Sequence, residues 1–456
     1  MASPTREDSP GRVRLYVQAE QRRSLNLASG ESTSTRHLSV RQAAFIGVGA
    51  MVGAGIFSLL GPAGEVARAA VWVSFLIAGA VAGLQGYSFA KFGSRYPSAG
   101  GLLEYVQRAY GDGHFTGIIA WLIYATNIVV TAMVAISFGS YATEMFTDGD
   151  PNWLKGFAVL VVVVMTLLNV AGSKAVAHAQ TVVVIVVLGS LTVFAVATLA
   201  NIEPGFLDTS AYPSFTDIIA SVALTFFAFL GFGVITFTAK DLSDPARQLP
   251  RAVYLALGIA TVIYVAIALG VFGTLPVDEV IDAGATAIAV AAEPILGNVG
   301  FWMMSITALF ATAGATNAGL YPATGLADEL TADRQFPPLM GARTGRIPNG
   351  LLFTALGSIV LVLLFDLSAV ASIGSAIALI VFTLITAGHI RVRGETGARL
   401  WLLLLGVLSS GIVLIAFAFT TLVDEPGTAI AMVVFVLLSV VIDFVWKGRR
   451  TSEPAA

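Results

Sequence analysis

Four glycines lie within nine residues of an apolar segment near the start of the chain, at Gly47, Gly49, Gly53 and Gly55. Glycine costs about 1 kcal/mol relative to alanine inside a helix, so this cluster predicts a helix that can open. In a bilayer, unpaired peptide groups are tolerated only where they face protein or water. Exposed N–H groups would bind a carboxylate, and exposed carbonyls an ammonium. The segment therefore predicts a binding site for a small zwitterion that is built from backbone.

A second glycine-interrupted apolar segment runs from Thr225 to Gly233. It belongs to the sixth apolar segment of the chain, so it would cross a membrane in the direction opposite to the first. Two interrupted helices at equivalent positions of inverted halves indicate a transporter site. The alternative is that spacings such as Gly49 to Gly53 only allow close helix packing. Each segment alone favours packing, whereas the two together favour a ligand site.

The composition indicates a membrane protein. The chain has 456 residues, of which 56% are hydrophobic and 12% charged, with a mean hydropathy of +0.84. Soluble domains carry about 25% charged residues. A net charge of −3 without a basic patch argues against a nucleic-acid partner. The lack of cysteine excludes thiol catalysis and thiolate metal sites, and the four scattered histidines predict neither an enzyme nor a metal or cofactor site.

The apolar segments predict an all-α integral membrane protein, because a helix needs about 20 residues to cross the hydrocarbon core. We place twelve spans at residues 43–66, 70–92, 116–144, 153–171, 178–200, 217–240, 252–275, 299–325, 349–365, 368–389, 399–421 and 428–446. The predicted organisation is a mostly disordered cytoplasmic tail without a signal peptide at 1–38, a transport core at 39–395, two further helices at 396–447 and a cytoplasmic tail at 448–456. Within the core, helices one to five (43–200) and six to ten (217–389) would be inverted repeats.

Loop charge predicts the orientation of these spans. The two ends of the chain and the even-numbered connections are basic, with residues such as Arg22, Arg41, Lys91, Arg108, Lys174, Arg247, Arg251, Arg343, Arg391, Arg399, Lys447 and Arg449. The odd-numbered connections are acidic instead, with Lys155 as their basic exception; their acids are Asp148, Asp150, Glu203, Asp208, Asp278, Glu279, Asp282, Asp366, Asp424 and Glu425. By the positive-inside rule both termini are cytoplasmic, in a multi-pass protein of the cell membrane.

Four motifs in a fixed order cover nearly the whole chain, from about residue 38 to 447. They are Gly53–Phe57 followed by Gly61-Pro62, Tyr96–Val106 running to Gly111, Phe226–Phe232 followed by Asp244–Ala252, and Asp328–Pro337. In this order and spacing the chain resembles the amino acid/polyamine/organocation (APC) superfamily of permeases. The resemblance implies a LeuT-like fold of five plus five inverted helices, with helices one and six broken and two extra helices at the carboxyl end. It also implies transport by alternating access.

The resemblance also implies roles for individual residues. The N–H groups of Gly53, Ala54 and Gly55 would hold the substrate carboxylate, assisted by the positive end of the following half-helix. The substrate ammonium would be bound by backbone carbonyls, those of Met51, Ala228 and Leu230. Phe227 lies where the family has an aromatic gate, and Gly231 would allow the backbone to bend. Without the motif, Phe227 would be interpreted as ordinary packing.

The chain departs from the family pattern at positions that bear on ion coupling. Val187 occupies the position of a helix-five lysine that other members use as a built-in cation, which argues against proton coupling by that route. Gly233 replaces an acid that often follows the helix-six break. Thr312 and Thr316 are possible substrate or sodium contacts, but hydroxyls that bond to their own helix are the favoured interpretation. Proton or sodium coupling therefore stays open.

The polar residues expected at mid-membrane indicate the substrate class. Helix three offers Thr126, Asn127 and Thr131, of which Asn127 is a possible substrate or ion contact. A charge inside a membrane usually has a function, and no carboxylate is expected there. This pattern predicts a neutral or weakly polar amino acid, or a small amine, rather than arginine, lysine or a polyamine. His389 and Asp443 lie near span ends, where interfacial solvation is expected.

These observations together predict a secondary active transporter for amino acids. An exchanger or uniporter without ion coupling, and a transport-dead nutrient sensor with a permease fold, are the alternatives left open. A channel or a membrane enzyme is disfavoured, because neither a filter sequence nor a catalytic constellation is visible. The sequence does not determine the substrate, the coupling ion, the direction of transport or the oligomeric state.

Overall fold

The computed structural model describes residues 38–97, 101–171, 174–333, 335–420, 423 and 426–451. The chain divides into two units, residues 1–38 and 39–456. The predicted disordered tail lies outside the described residues except for Leu38, and so do residues 98–100 of the second family motif.

The described residues are mostly helical. The helices are α1 (Val40–Ala54), α2 (Ile56–Ala67), α3 (Val71–Arg95), α4 (Leu102–Tyr110), α5 (His114–Phe146), α6 (Leu154–Ala171), α7 (Lys174–Leu199), α8 (Phe215–Phe226), α9 (Phe232–Phe237), α10 (Pro245–Phe272), α11 (Val277–Ala283), α12 (Ala287–Ala332), α13 (Pro338–Gly341), α14 (Asn349–Leu364), α15 (Leu367–Thr396), α16 (Leu400–Phe419) and α17 (Pro426–Thr451). Helix α12 is kinked at Gly297, where φ is 65°. Two short strands, β1 (Arg343–Thr344) and β2 (Ile347–Pro348), pair antiparallel.

Ten helical segments of the described residues are long and apolar enough to cross a membrane, and two shorter apolar helices, Val40–Gly53 and Asn349–Leu364, accompany them. The prediction of a multi-pass helical membrane protein is therefore confirmed. Many side chains of α6, α7, α16 and α17 are large, apolar and exposed, as lipid-facing helices require.

Local sequence signals determine where several helices begin. Ser39 and Gln42 form a capping box at the start of α1, with the Gln42 N–H donating to Ser39 Oγ and the Ser39 N–H donating to Gln42 Oε1. Asp366 caps α15 by accepting a hydrogen bond of 2.8 Å from the Ala369 N–H. These caps satisfy N–H groups that helix starts leave without an intrahelical partner.

The two broken segments lie inside the helix bundle. Helix α1 packs against α9, α10 and α12, and α2 packs against α8. The short turn Phe227–Phe229 between α8 and α9 contacts α1 and α15. The packing of the bundle thus brings the first and second broken helices together.

Asp443 is buried, so the expectation of interfacial solvation is wrong for it. One carboxylate oxygen lies 2.7 Å from His114 Nδ1, and the other lies 2.9 Å from Lys447 Nζ. Lys447 also donates to the carbonyl of Gly113 at 2.7 Å. Charge pairing explains the burial, because a carboxylate is stable away from water only when partnered. The cluster ties α17 to the start of α5.

His389 is also buried, contrary to the same expectation. Its Nδ1 lies 2.9 Å from Ser88 Oγ on α3, and its Nε2 lies 2.7 Å from Thr396 Oγ1. Its ring lies 4.0 Å, centroid to centroid, from the ring of Phe92. Two hydroxyl partners and a ring contact thus replace the solvation that the position near a span end suggested.

Arg68 departs from the acidic pattern of the other odd-numbered connections. It lies between α2 and α3 with a φ of 51°, a conformation that side chains rarely adopt. Its guanidinium pairs with Asp278 at 2.9 Å. The basic residue is thus matched by an acid of the α10–α12 connection.

Candidate substrate-binding site

The first helix break is confined to Gly55. Helix α1 continues through the glycine cluster to Ala54, and α2 begins at Ile56. Gly55 has φ −97° and ψ −61°, and its N–H donates to the Met51 carbonyl at 3.1 Å. The break is therefore narrower than the opened stretch that the glycine cluster suggested, and these two predicted substrate-binding groups are bonded to each other.

The other three glycines of the cluster make close packing contacts. A methyl group at Gly47 would lie 2.3 Å from Ile235 Cδ1, and one at Gly49 would lie 2.7 Å from Val184 Cγ2. A methyl group at Gly53 would lie 3.1 Å from the Ala311 carbonyl oxygen. The packing interpretation is thus confirmed for these positions. A clash inside a close-packed core is costly, which explains why glycine is needed.

The second break lies between α8 and α9. Helix α8 ends at Phe226, and Phe227–Phe229 form a 3-10 turn. The Leu230 N–H donates to the Phe227 carbonyl at 3.1 Å, three residues back rather than four. The Val234 N–H bonds to the Gly231 carbonyl in the same way at 3.1 Å. The interruption predicted from Thr225 to Gly233 is therefore present.

The two breaks contact each other directly. A methyl group at Gly55 would lie 2.3 Å from Ala228 Cβ and 2.4 Å from Ala228 Cα. One at Gly231 would lie 2.5 Å from the backbone nitrogen of Met51. The structure thus brings Met51, Gly55, Ala228 and Gly231 together, since each break presents a glycine to the backbone of the other.

Tyr264 of α10 contacts the second break, and the sequence analysis did not single it out. Its hydroxyl donates to the Ala228 carbonyl at 3.0 Å, and its side chain is fully buried. Its ring lies 5.1 Å from that of Phe229 and 5.4 Å from that of Phe75. One feature of the sequence could have indicated Tyr264: a tyrosine hydroxyl that is buried in an apolar span needs a hydrogen-bond acceptor.

Phe227, the predicted aromatic gate, is 1% exposed. Its ring lies beside Gly374 of α15 and near Val129 of α5. Leu230 is half-buried on the same segment. The ring is therefore packed between the second break and two neighbouring helices.

The remaining predicted contacts lie on α5 and α12. Asn127 Nδ2 donates to the carbonyl of Gly319 at 2.8 Å, which joins α5 to α12. Thr312 Oγ1 donates to the Ala308 carbonyl at 2.7 Å, and Thr316 Oγ1 to the Thr312 carbonyl at 2.9 Å. The favoured interpretation of the threonines, hydroxyls that bond to their own helix, is confirmed. Contact of these side chains with substrate or ion stays a prediction.

Val187 lines a small cavity between α1, α7 and α12. The cavity has a volume of about 10 Å³, and residues that line it include Gly49, Val52, Gly53, Val184 and Ala311. Such a volume holds roughly one water molecule. Every lining residue is a glycine or carries an aliphatic side chain. Among the described residues, no group of His, Cys, Asp and Glu is placed to hold a metal ion.

Two interrupted helices that meet in a multi-pass helical bundle are typical of transporter sites. The family match and the relatives described below place the chain among the membrane transporters and not the enzymes. The chain is a member of the amino acid permease family, whose model matches residues 38–452, and so of the APC superfamily. The family expected from the sequence motifs is thus confirmed.

Curated relatives agree with this assignment. The chain is 32% identical over 409 residues to the inner membrane transport protein YbaT of Escherichia coli (strain K12), covering 89% of this chain and 95% of that protein. It is 28% identical over 407 residues to the vacuolar cationic amino acid transporter 2 of Arabidopsis thaliana, covering 84% and 64% of the two chains. The branched-chain amino acid permease BcaP of Bacillus subtilis (strain 168) is 24% identical over 266 residues, covering 54% and 57%.

Proposed function

We propose that the protein is a secondary active transporter that moves neutral or weakly polar amino acids across the cell membrane by alternating access. The observation that carries this proposal is the direct contact of the two breaks, Gly55 against Ala228 and Gly231 against Met51. Helix breaks of opposite orientation supply peptide donors and acceptors at one place in a membrane. That arrangement suits a zwitterion, whose two charges need partners of opposite kind.

In the proposed site, the substrate carboxylate binds the N–H groups of Gly53, Ala54 and Gly55. Its ammonium binds the carbonyls of Met51, Ala228 and Leu230, while Phe227 closes over the side chain and Gly231 lets the backbone bend. Because α1 continues to Ala54 and the Gly55 N–H bonds to the Met51 carbonyl, these donors become available when the last turn of α1 opens. Substrate binding then exchanges the Gly55–Met51 bond for one to each end of the substrate. Such an exchange would make the conformation of the first break depend on whether substrate is bound, as alternating access requires.

The proposed topology has twelve spans with both termini in the cytoplasm, and helices one to five and six to ten form inverted repeats. The basic even-numbered connections support it. The ten long apolar segments and the two shorter apolar helices support this proposal. The first predicted span, 43–66, is divided between Val40–Gly53 and the long segment Ile56–Arg95, which contains α2, the connection at Arg68 and α3.

The substrate class rests on the distribution of charge. Among the described residues, Asp443 is the one carboxylate that is fully buried, and it is paired with His114 and Lys447 away from the two breaks. A cationic side chain would need a carboxylate near the site to offset its desolvation. The names of the relatives include cationic and branched-chain substrates, and the absence of a buried acid among the described site residues supports a neutral one.

Uptake of labelled amino acids into proteoliposomes tests the proposal. Neutral amino acids should enter and compete with one another, while arginine and lysine should compete weakly. Gly55→Val gives a site-specific test, since its side chain would clash with Ala228 while the protein still inserts. Wild-type affinity in that variant would argue that the break is only structural.

An exchanger or uniporter without ion coupling is the second candidate. The specific observation in its favour is the small cavity at Val187, the position at which some members of the family carry a lysine. The aliphatic side chains that line it supply neither a proton-binding group nor a side-chain oxygen ligand for a hard cation. Counterflow of labelled substrate without an ion gradient would distinguish this mode from ion-driven symport.

A further inference from the structure

The ring of Phe227 occupies the space that a side chain at position 374 would take. A methyl group on Gly374 would lie 2.4 Å from Phe227 Cε2 and 3.2 Å from Phe227 Cδ2. The same methyl would lie 2.8 Å from Val129 Cγ1. Distances below 3.0 Å are essentially never observed for real Cβ atoms. Position 374 therefore accepts only glycine as long as the ring stays where it is.

The backbone that carries the ring is held in place. The Phe227 carbonyl accepts a hydrogen bond of 3.1 Å from the Leu230 N–H, and the next carbonyl, of Ala228, accepts one of 3.0 Å from Tyr264. Helix α15 is itself packed against α3, α5 and α16. A methyl group at Gly374 would therefore displace the ring, together with the Val129 side chain, rather than either backbone.

The displaced ring would move close to the proposed site. The turn Phe227–Phe229 contacts α1, α3 and α15. The residue next to the ring, Ala228, contacts the break of α1 at Gly55. A ring pushed off α15 therefore moves in the neighbourhood of the peptide groups to which we assign the substrate.

We infer that Gly374 is a specificity-determining residue: by receiving the ring of Phe227 against α15, it keeps open the space in which the side chain of the amino acid lies. The inference rests on the proposed function and deepens it. Gly374 acts through Phe227, so it is a positioning residue. The position of this ring then limits the size of the side chain that a transported neutral amino acid can carry.

Gly374→Ala tests the inference through KM values for alanine, valine, leucine and phenylalanine in proteoliposomes. We expect the KM of leucine and phenylalanine to rise about tenfold, the size of a typical overpacking penalty, and that of alanine to change little. Gly394→Ala is the matched control. Gly394 lies on the same helix, and a methyl group there would meet no atom within 4 Å, so all four KM values should stay unchanged.

A second variant tests the inference even if Gly374→Ala impairs folding of the protein. Phe227→Leu removes the ring atoms that the new methyl would meet and leaves Val129 Cγ1 as a close neighbour. Because Gly374 acts on substrate size through the ring, the ratio of leucine to alanine KM should be the same in F227L and in F227L/G374A. A purely structural lesion at Gly374 would change uptake of all substrates alike and leave this ratio unmoved in G374A. If G374A does not reach the membrane, V129A/G374A replaces it: with Val129 Cγ1 removed the methyl still meets the ring, so the leucine-to-alanine KM ratio should rise relative to V129A.

Two results would overturn the inference while leaving the proposed function intact. One is an equal change, or no change, in all four KM values of G374A. The other is a leucine-to-alanine ratio that differs between F227L and F227L/G374A. A wild-type protein that neither binds nor transports any of the four amino acids would contradict the proposed function itself, and the inference would fall with it.

Discussion

The hydroxyl of Tyr264 donates a hydrogen bond of 3.0 Å to the carbonyl of Ala228, one of the acceptors that we assign to the substrate ammonium. The tyrosine belongs to α10, which packs against α1 as well. A carbonyl at a helix break lacks its usual intrahelical partner, and in a buried place it must find another. The tyrosine thus satisfies this acceptor when no substrate is bound.

Tyr264→Phe should therefore tighten substrate binding while it destabilises the empty protein. Loss of the hydroxyl leaves a buried carbonyl unpaired, at a cost of about 1 kcal/mol, which the substrate ammonium then relieves. We expect the Kd for substrate to fall about fivefold and the empty protein to unfold at a lower temperature. Tyr254→Phe, on the same helix but 46% exposed, is the control. An unchanged or weaker Kd in Y264F would mean that the ammonium binds elsewhere.

Gly55→Ala should nearly abolish transport, because its methyl group would lie 2.3 Å from Ala228 Cβ. We expect a loss of about a hundredfold in kcat/KM, corresponding to roughly 3 kcal/mol of overpacking. The double variant G55A/A228G moves the methyl group from one break to the other and should recover part of this loss. Gly258→Ala, where a methyl group would meet nothing within 4 Å, should behave as wild type. Full activity in G55A would contradict the close contact of the breaks.

The ion pairs of Asp443 and the ion pair of Asp278 should differ in their effect on stability. Asp443 is buried between His114 and Lys447, so Asp443→Asn should lower the free energy of unfolding by about 2 kcal/mol. Because the His114 side chain is 47% exposed, water screens part of this interaction. Asp278 is 79% exposed beside Arg68, and Asp278→Asn should cost less than about 1 kcal/mol. Thermal unfolding in detergent measures both, and equal shifts would show that burial does not decide the contribution.

If the apolar cavity at Val187 reflects the absence of a binding site for a coupling ion, the protein should exchange amino acids across the membrane without an ion gradient. We expect counterflow of labelled neutral amino acids to be unaffected when sodium is replaced by potassium or when the internal and external pH are equal. The measurement is the initial rate in preloaded proteoliposomes. Accumulation that requires a sodium or proton gradient would place the coupling ion at groups other than those lining this cavity.

Much of the fold could be predicted from sequence because hydrophobic length and glycine spacing are local signals. The break between Thr225 and Gly233 and the order of the apolar helices follow from such signals. The extent of the first break did not, because three of the glycines of α1 are used for packing against Ile235, Val184 and Ala311. Whether a glycine opens a helix or allows close approach depends on the neighbouring helix, which the local sequence does not specify.

The partners of polar groups were the least predictable part of the site. Tyr264 lies 36 residues from Ala228 along the chain, so no spacing rule connects them. Likewise Asp443 and His389 lie near helix ends and resemble solvated residues until their partners on α5 and α3 are known. Burial of a polar group is determined by tertiary packing, and its residue type shows only that it needs a partner.

Uptake of a labelled amino acid panel by the purified wild-type protein in proteoliposomes shows whether the protein transports neutral amino acids. We expect saturable uptake of neutral amino acids, mutual competition among them, and loss of that uptake in Gly55→Val. Arginine and lysine should be poor substrates, because no buried carboxylate is available to their side chains among the described site residues. Failure to bind or transport any amino acid or amine, or a preference for the cationic ones, would contradict it.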